Sequence, residues 1–193
     1  GRAIHVGLPN GRNYSFDPRF LSLRSIWNGG FLNLVKEQTG RSTPGSDRGH
    51  LAKDVVDATP TLVPVAANGN ALDLEFKEPD VLDDNASIKH LEKGGNFLEE
   101  LASWDCDFHG YQLDETGNPT FLFRIGGNEL KQRILFDETG NLICEISGNL
   151  RTPQAFIVRE SFHKIAKVEG GELKDDRWIL PAGNGKTYRL RVP

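Results

Sequence analysis

The sequence predicts an all-β protein: an antiparallel β-sandwich or related two-sheet fold with long loops and little helix. Three observations predict it. The pentapeptide Asp-Glu-Thr-Gly-Asn occurs twice, at 114–118 and 137–141, each time beside β-rich sequence. Short stretches alternate polar and apolar residues, as half-buried strands do. Gly, Pro and Asn punctuate the chain so often that little room is left for helix.

Each copy of the pentapeptide has hairpin-turn chemistry. The leading Asp caps backbone N–H groups, Gly supplies a φ > 0 position, and Asn tolerates one. Two such turns, 23 residues apart at 114 and 137, fit an antiparallel meander with strands of roughly six to nine residues. The alternating oxygens also resemble fragments of a calcium loop. Neither copy reaches the distant bidentate Glu of an EF-hand, so a turn is the better reading.

Upstream, Ala3-Ile4-His5-Val6 reads as a strand and Leu8-Pro9-Asn10-Gly11 as a turn centred on Asn-Gly. Asn13-Tyr14-Ser15-Phe16 alternates as a half-buried strand should, Asp17-Pro18 breaks it, and residues 21–27 alternate again before Asn28-Gly29-Gly30 turns. Residues 38–49 are polar and Gly-rich, a long loop of the kind that is functional or mobile. A strand is expected at 72–76, an acidic loop at 80–84 and one helical turn at 97–101. Further strands are expected at 155–159, 162–166, 178–180 and 187–192, with 181–185 as a turn. No composition shift forces a boundary, so residues 1–193 read as a single β-rich domain.

The chain has 193 residues, enough to bury a sizeable core. Its net charge of −4 argues against a surface built for nucleic-acid phosphates. Its apolar runs are too short for a membrane span. Met is absent, position 1 included, which suggests a domain excised from a longer protein or a processed chain. The two cysteines, Cys106 and Cys144, form no C-x-x-C pair and no haem-attachment motif. They read as buried thiols or as one disulfide joining the ends of the meander.

The densest group of chemically capable residues is Trp104-Asp105-Cys106-Asp107-Phe108-His109-Gly110-Tyr111. In a regular strand Trp104, Cys106, Phe108 and Gly110 face one way, and Asp105, Asp107, His109 and Tyr111 the other. Two carboxylates, an imidazole and a phenol on one face could bind a metal, serve as acid and base, or hydrogen-bond a sugar. The same face also reads as the solvated side of an outer strand. Elsewhere the signals fail. Gly183-Asn184-Gly185-Lys186-Thr187 ends like a phosphate-binding loop, but Leu180, followed by Pro181, stands where its leading Gly would be needed. The five His residues form no H-x-x-x-H pair, and no Ser sits in a Gly-x-Ser-x-Gly elbow. Trp27, Trp104 and Trp178 lie among apolar residues and read as core.

An ordered set of segments carries a resemblance: Gly7-Leu8-Pro9-Asn10-Gly11 to Phe16-Asp17, then Leu23-Arg24-Ser25-Ile26-Trp27-Asn28-Gly29-Gly30-Phe31-Leu32. Phe108-His109-Gly110-Tyr111-Gln112-Leu113 and Pro119-Thr120-Phe121-Leu122-Phe123 complete it. Over roughly residues 2–150 the chain resembles an uncharacterised β-rich domain of large secreted bacterial proteins. There the domain accompanies c-type cytochrome modules, quinoprotein sugar dehydrogenase domains or carbohydrate-associated modules. The resemblance implies a periplasmic or secreted setting in a redox or polysaccharide-linked assembly, with haem expected only in a neighbouring cytochrome module. It brings no catalytic residues.

Three functions compete. One is a non-catalytic accessory module, binding carbohydrate or packing against a c-type cytochrome domain of the same polypeptide. The second is a carbohydrate-active enzyme using Asp105, Asp107 and His109. The third is a structural spacer. For a ligand site the candidates are Asp105, Asp107, His109 and Tyr111, with Tyr111 as the stacking ring.

Overall fold

The two Asp-Glu-Thr-Gly-Asn segments are hairpin turns of one design. In each, the Asp N–H donates to the Asn carbonyl at 3.0 Å and the Gly N–H donates to the Asp carbonyl at 2.9 Å. The Asp carboxylate accepts from the Asn N–H, at 3.0 Å in the first copy and 2.9 Å in the second. Gly117 and Gly140 take φ of 82° and 92°, the left-handed position that closes a three-residue loop.

The computed structural model describes residues 3–31, 53–54, 61–65, 105–157, 167–174 and 177–192. Among these, all regular structure is β and every strand pair is antiparallel. The strands are β1 Ile4–Gly7, β2 Arg12–Asp17, β3 Ser22–Asn28, β4 Lys53–Asp54, β5 Leu62–Pro64, β6 Asp107–Leu113 and β7 Pro119–Ile125. They continue as β8 Asn128–Phe136, β9 Leu142–Leu150, β10 Gln154–Phe156, β11 Lys167–Glu169, β12 Glu172–Lys174, β13 Arg177–Leu180 and β14 Gly183–Val192. The readings for residues 38–49, 72–76, 80–84, 97–101 and 162–166, and for Trp104, lie outside the described residues.

Three sheets result, ordered β1-β2-β3-β4, β12-β13-β10-β5 and β11-β14-β9-β8-β7-β6. The meander β6 to β9 is four consecutive strands of the largest sheet. The order β12-β13-β10 repeats the order β11-β14-β9 of the larger sheet. Three neighbouring strands therefore pass through one corner from sheet to sheet, as strands do where a sheet folds over on itself. A register shift between Gly183 and Lys186 marks the bend in β14, so this strand starts inside the segment expected to be a turn.

One hydrophobic cluster draws on all three sheets: Tyr14, Phe16 and Leu23 from the first, Leu62, Phe156 and Leu180 from the second, Phe121, Ile134 and Ile146 from the third. At its centre Phe16 stacks on Phe121, with centroids 3.9 Å apart, and Tyr14 meets the same ring edge-on. This is the layered, sandwich-like core that the alternation anticipates.

β2 departs from the half-buried pattern. Asn13, Ser15 and Asp17 are as buried as Tyr14 and Phe16. Their polar groups are satisfied inside: Ser15 shares a 2.6 Å hydrogen bond with Ser25, and Asn13 donates to the Gly11 and Gly29 carbonyls. Burial pushes the Asp17 carboxyl up, but hydrogen bonds from Arg19 and the nearby Arg24 outweigh it and leave its pKa lowered.

Both cysteines are free thiols. Cys144 is on β9 and Cys106 immediately precedes β6, three strand steps away. At about 4.8 Å per step this is roughly 14 Å, well beyond disulfide reach. Burial pushes the thiol of each up to about 12, with the Asp105 charge adding at Cys106 and a Gln132 hydrogen bond opposing at Cys144. Neither is an activated nucleophile at neutral pH.

Candidate functional site

Asp105, Asp107 and His109 come together where β6 begins. Asp105, in a left-handed conformation with φ of 53°, reaches the β7–β8 turn. Its carboxylate accepts from Arg124 Nε at 2.8 Å and from the Gly127 N–H at 2.9 Å. Arg124 also lies 3.5 Å from Asp107, its cross-strand partner. His109 Nε2 is 3.2 Å from Asp107 and its Nδ1 is 3.4 Å from Glu129. A neutral imidazole can donate to one of these carboxylates, a protonated one to both.

Arg124 and Glu129 are members the sequence reading missed. They face each other across the β7–β8 hairpin, so their presence follows from register, which depends on Gly126-Gly127 acting as a turn. All five side chains lie on the solvent side, more than a third exposed apiece. Each carboxylate has a cation or imidazole beside it. Among the described residues no group of three His, Cys, Asp or Glu is disposed to hold a metal ion.

Tyr111 does not join them. Phe108 pairs with Phe123 and Gly110 with Leu122, leaving His109 without a partner of its own. This is a β-bulge, completed by Gly110 at φ of 107°, a value open to few residues besides Gly. One extra residue reverses the alternation beyond it. Tyr111 therefore pairs with Phe121, on the inner face, and touches its ring edge-on at 6.4 Å. The expected single face of Asp105, Asp107, His109 and Tyr111 is thus divided, the polar groups outside and the phenol inside.

On that inner side the cover is incomplete. Tyr111 is 52 % exposed and Leu113, next on the same face, 62 % exposed. Phe121, one strand inward, is fully buried. An apolar pair thus continues the core out to the sheet's edge, and among the described residues no strand lies beyond β6. The other described large exposed apolar side chains, Phe31 and Leu173, lie far from β6 in sequence and on other sheets or loops.

No helix among the described residues is long and apolar enough to cross a membrane. Comparison with protein-family models, curated proteins and solved structures gives no match to this chain.

Proposed function

We propose that this chain is a non-catalytic accessory module of a larger secreted or periplasmic assembly, acting by protein contact through β6. The observation that carries the reading is the exposed pair Tyr111 and Leu113 on the core-facing side of an edge strand. Large apolar side chains left uncovered beside an open strand edge suit a protein surface. The resemblance supplies the setting, with a c-type cytochrome module as the expected neighbour and haem held there.

Two observations weigh against catalysis by Asp105, Asp107 and His109. The groups are engaged with Arg124 and Glu129, and they stand in water, where electrostatic stabilisation is weak. Carbohydrate binding is the second reading, favoured by the exposed phenol ring of Tyr111. A sugar platform also needs planar polar groups around the ring, and Asp107 and His109 are across the sheet.

The test offers the purified chain to a glycan array and, separately, to a soluble c-type cytochrome, with Tyr111→Ala and Leu113→Ala alongside. Protein association, with the cytochrome or between copies, should fall in both variants while the far-ultraviolet spectrum is unchanged. Glycan retention that Tyr111→Ala abolishes would move the function to carbohydrate binding. Protein association indifferent to both substitutions would contradict the reading.

A further inference from the structure

We infer that the open edge of β6 pairs antiparallel with β6 of a second copy of this chain, joining two six-stranded sheets across a two-fold axis at Gln112. The inference rests on reading β6 as a contact surface and names the occupant.

The hydrogen-bond phase of β6 decides which backbone groups are free. Asp114 N–H donates to the Asn118 carbonyl at 3.0 Å, so Asp114 and Asn118 form a bonded pair. Bonded and non-bonded pairs alternate along an antiparallel ladder. Gln112 with Thr120 is therefore bonded, whereas Leu113 with Pro119 and Tyr111 with Phe121 are not. The N–H and C=O groups of Tyr111 and Leu113 consequently point away from β7, toward the open edge. Pro119, which has no N–H, fits a pair that needs none.

A two-fold axis at Gln112 sets Tyr111 opposite the partner's Leu113, and Leu113 opposite the partner's Tyr111. Each pairing is a bonded one on the free side, giving four backbone hydrogen bonds. The four side chains share the inner face, so the pairing covers the apolar surface that is 52 % and 62 % exposed in one copy. The acidic Asp114-Glu115 turn of one copy comes beside the His109-Gly110 segment of the other, and the acidic turns stay apart. Moving the axis onto Asp114 would instead bring them together.

The two edges of the large sheet differ in protection. β11 is three residues long and places Lys167 and Glu169 on either side of Val168, the short, charged form that discourages pairing. In β6 the bulge at His109 breaks the regular run of the strand, but from Gly110 to Leu113 there is no Lys, no Pro and no charge. The pairable run is short, so the dimer is of the transient class.

Sedimentation velocity from micromolar to near-millimolar protein tests the pairing, together with Gln112→Cys under mild oxidation. Gln112 would face itself across the axis in a non-bonded pair, the closer of the two pair types. The wild type should move from monomer to dimer with concentration. Leu113→Lys, counted twice in a symmetric interface, should raise the dissociation constant about ten-fold or more. Gln112→Cys should give a disulfide-linked dimer, and Glu115→Cys, off the axis, should give no more than the wild type with its native thiols. A wild type monomeric throughout, a Leu113→Lys variant that dimerises equally well, or equal cross-linking by the two Cys variants would each overturn the pairing. The broader contact reading would then stand or fall separately, on whether Tyr111→Ala alters association with the cytochrome.

Discussion

Tyr111 and Phe121 touch as rings, yet removing them should have opposite consequences. Phe121 is fully buried, stacked on Phe16 and met edge-on by Tyr14. Phe121→Ala should cost about 3–5 kcal/mol, the usual range for emptying a large aromatic site. Tyr111 leaves half its surface in water, so Tyr111→Ala should cost well under half as much and lower association instead. Urea unfolding of both variants checks this, and equal losses would contradict it. The cysteines give a second expectation at this scale. With its thiol pushed up to about 12 and fully buried, Cys144 should resist maleimide at neutral pH until the protein unfolds.

The hairpin turns set expectations at the scale of the element. Alanine at Gly117 must take a left-handed conformation, a cost of about 1–2 kcal/mol. At Gly140 the added Cβ would also meet the Arg12 guanidinium, the far end of a flexible side chain that can swing aside, so alanine there should cost a similar amount. Denaturant midpoints of both variants should fall below that of the wild type. The turn carboxylates also link folding to pH. Hydrogen bonding to Thr116 and Asn118, aided by Arg133, holds Asp114 at about 2 against an ordinary 3.8. Thr139 leads the same effect at Asp137, and the Asp17 pKa is lowered as well. A depressed folded pKa contributes stability that is fully present above the unfolded value and is lost as pH falls toward the folded one. Stability should therefore hold from neutrality down to roughly pH 4 and decline steeply toward roughly pH 2. A midpoint unchanged over that window would contradict the linkage.

These same elements show what the sequence could and could not reveal. The turns were legible because Asp, Gly and Asn each have a local reason to be there, and β1, β2, β3 and β13 because Gly and Pro delimit them. The bulge at His109 was not, because a bulge is a property of two paired strands and β6 alone reads as regular. Reversing alternation at one residue moved Tyr111 to the other face and left Arg124 and Glu129 in its place. β2 misled for a related reason. Its polar residues look solvent-facing until Ser25 and the Gly11 and Gly29 carbonyls are placed beside them.

For the whole molecule, a strand-dominated far-ultraviolet spectrum is expected, with helix below about a fifth and so under the usual share for globular domains. A helix-dominated spectrum would contradict it. The purified chain should show no Soret band, because it has no pair of thiols and histidine to attach haem. Among the described residues the three sheets share one core, and no strand lies beyond β6 at the edge of the largest. The bulge at His109 turns Tyr111 inward and, among the described residues, leaves its backbone on an open edge. Amide hydrogen exchange along β6 in dilute solution tests this most directly. Exchange should be slow at Gln112, whose N–H turns to β7, and fast at Tyr111 and Leu113, which face the edge. Slow exchange at Tyr111 and Leu113 with fast exchange at Gln112 would contradict it.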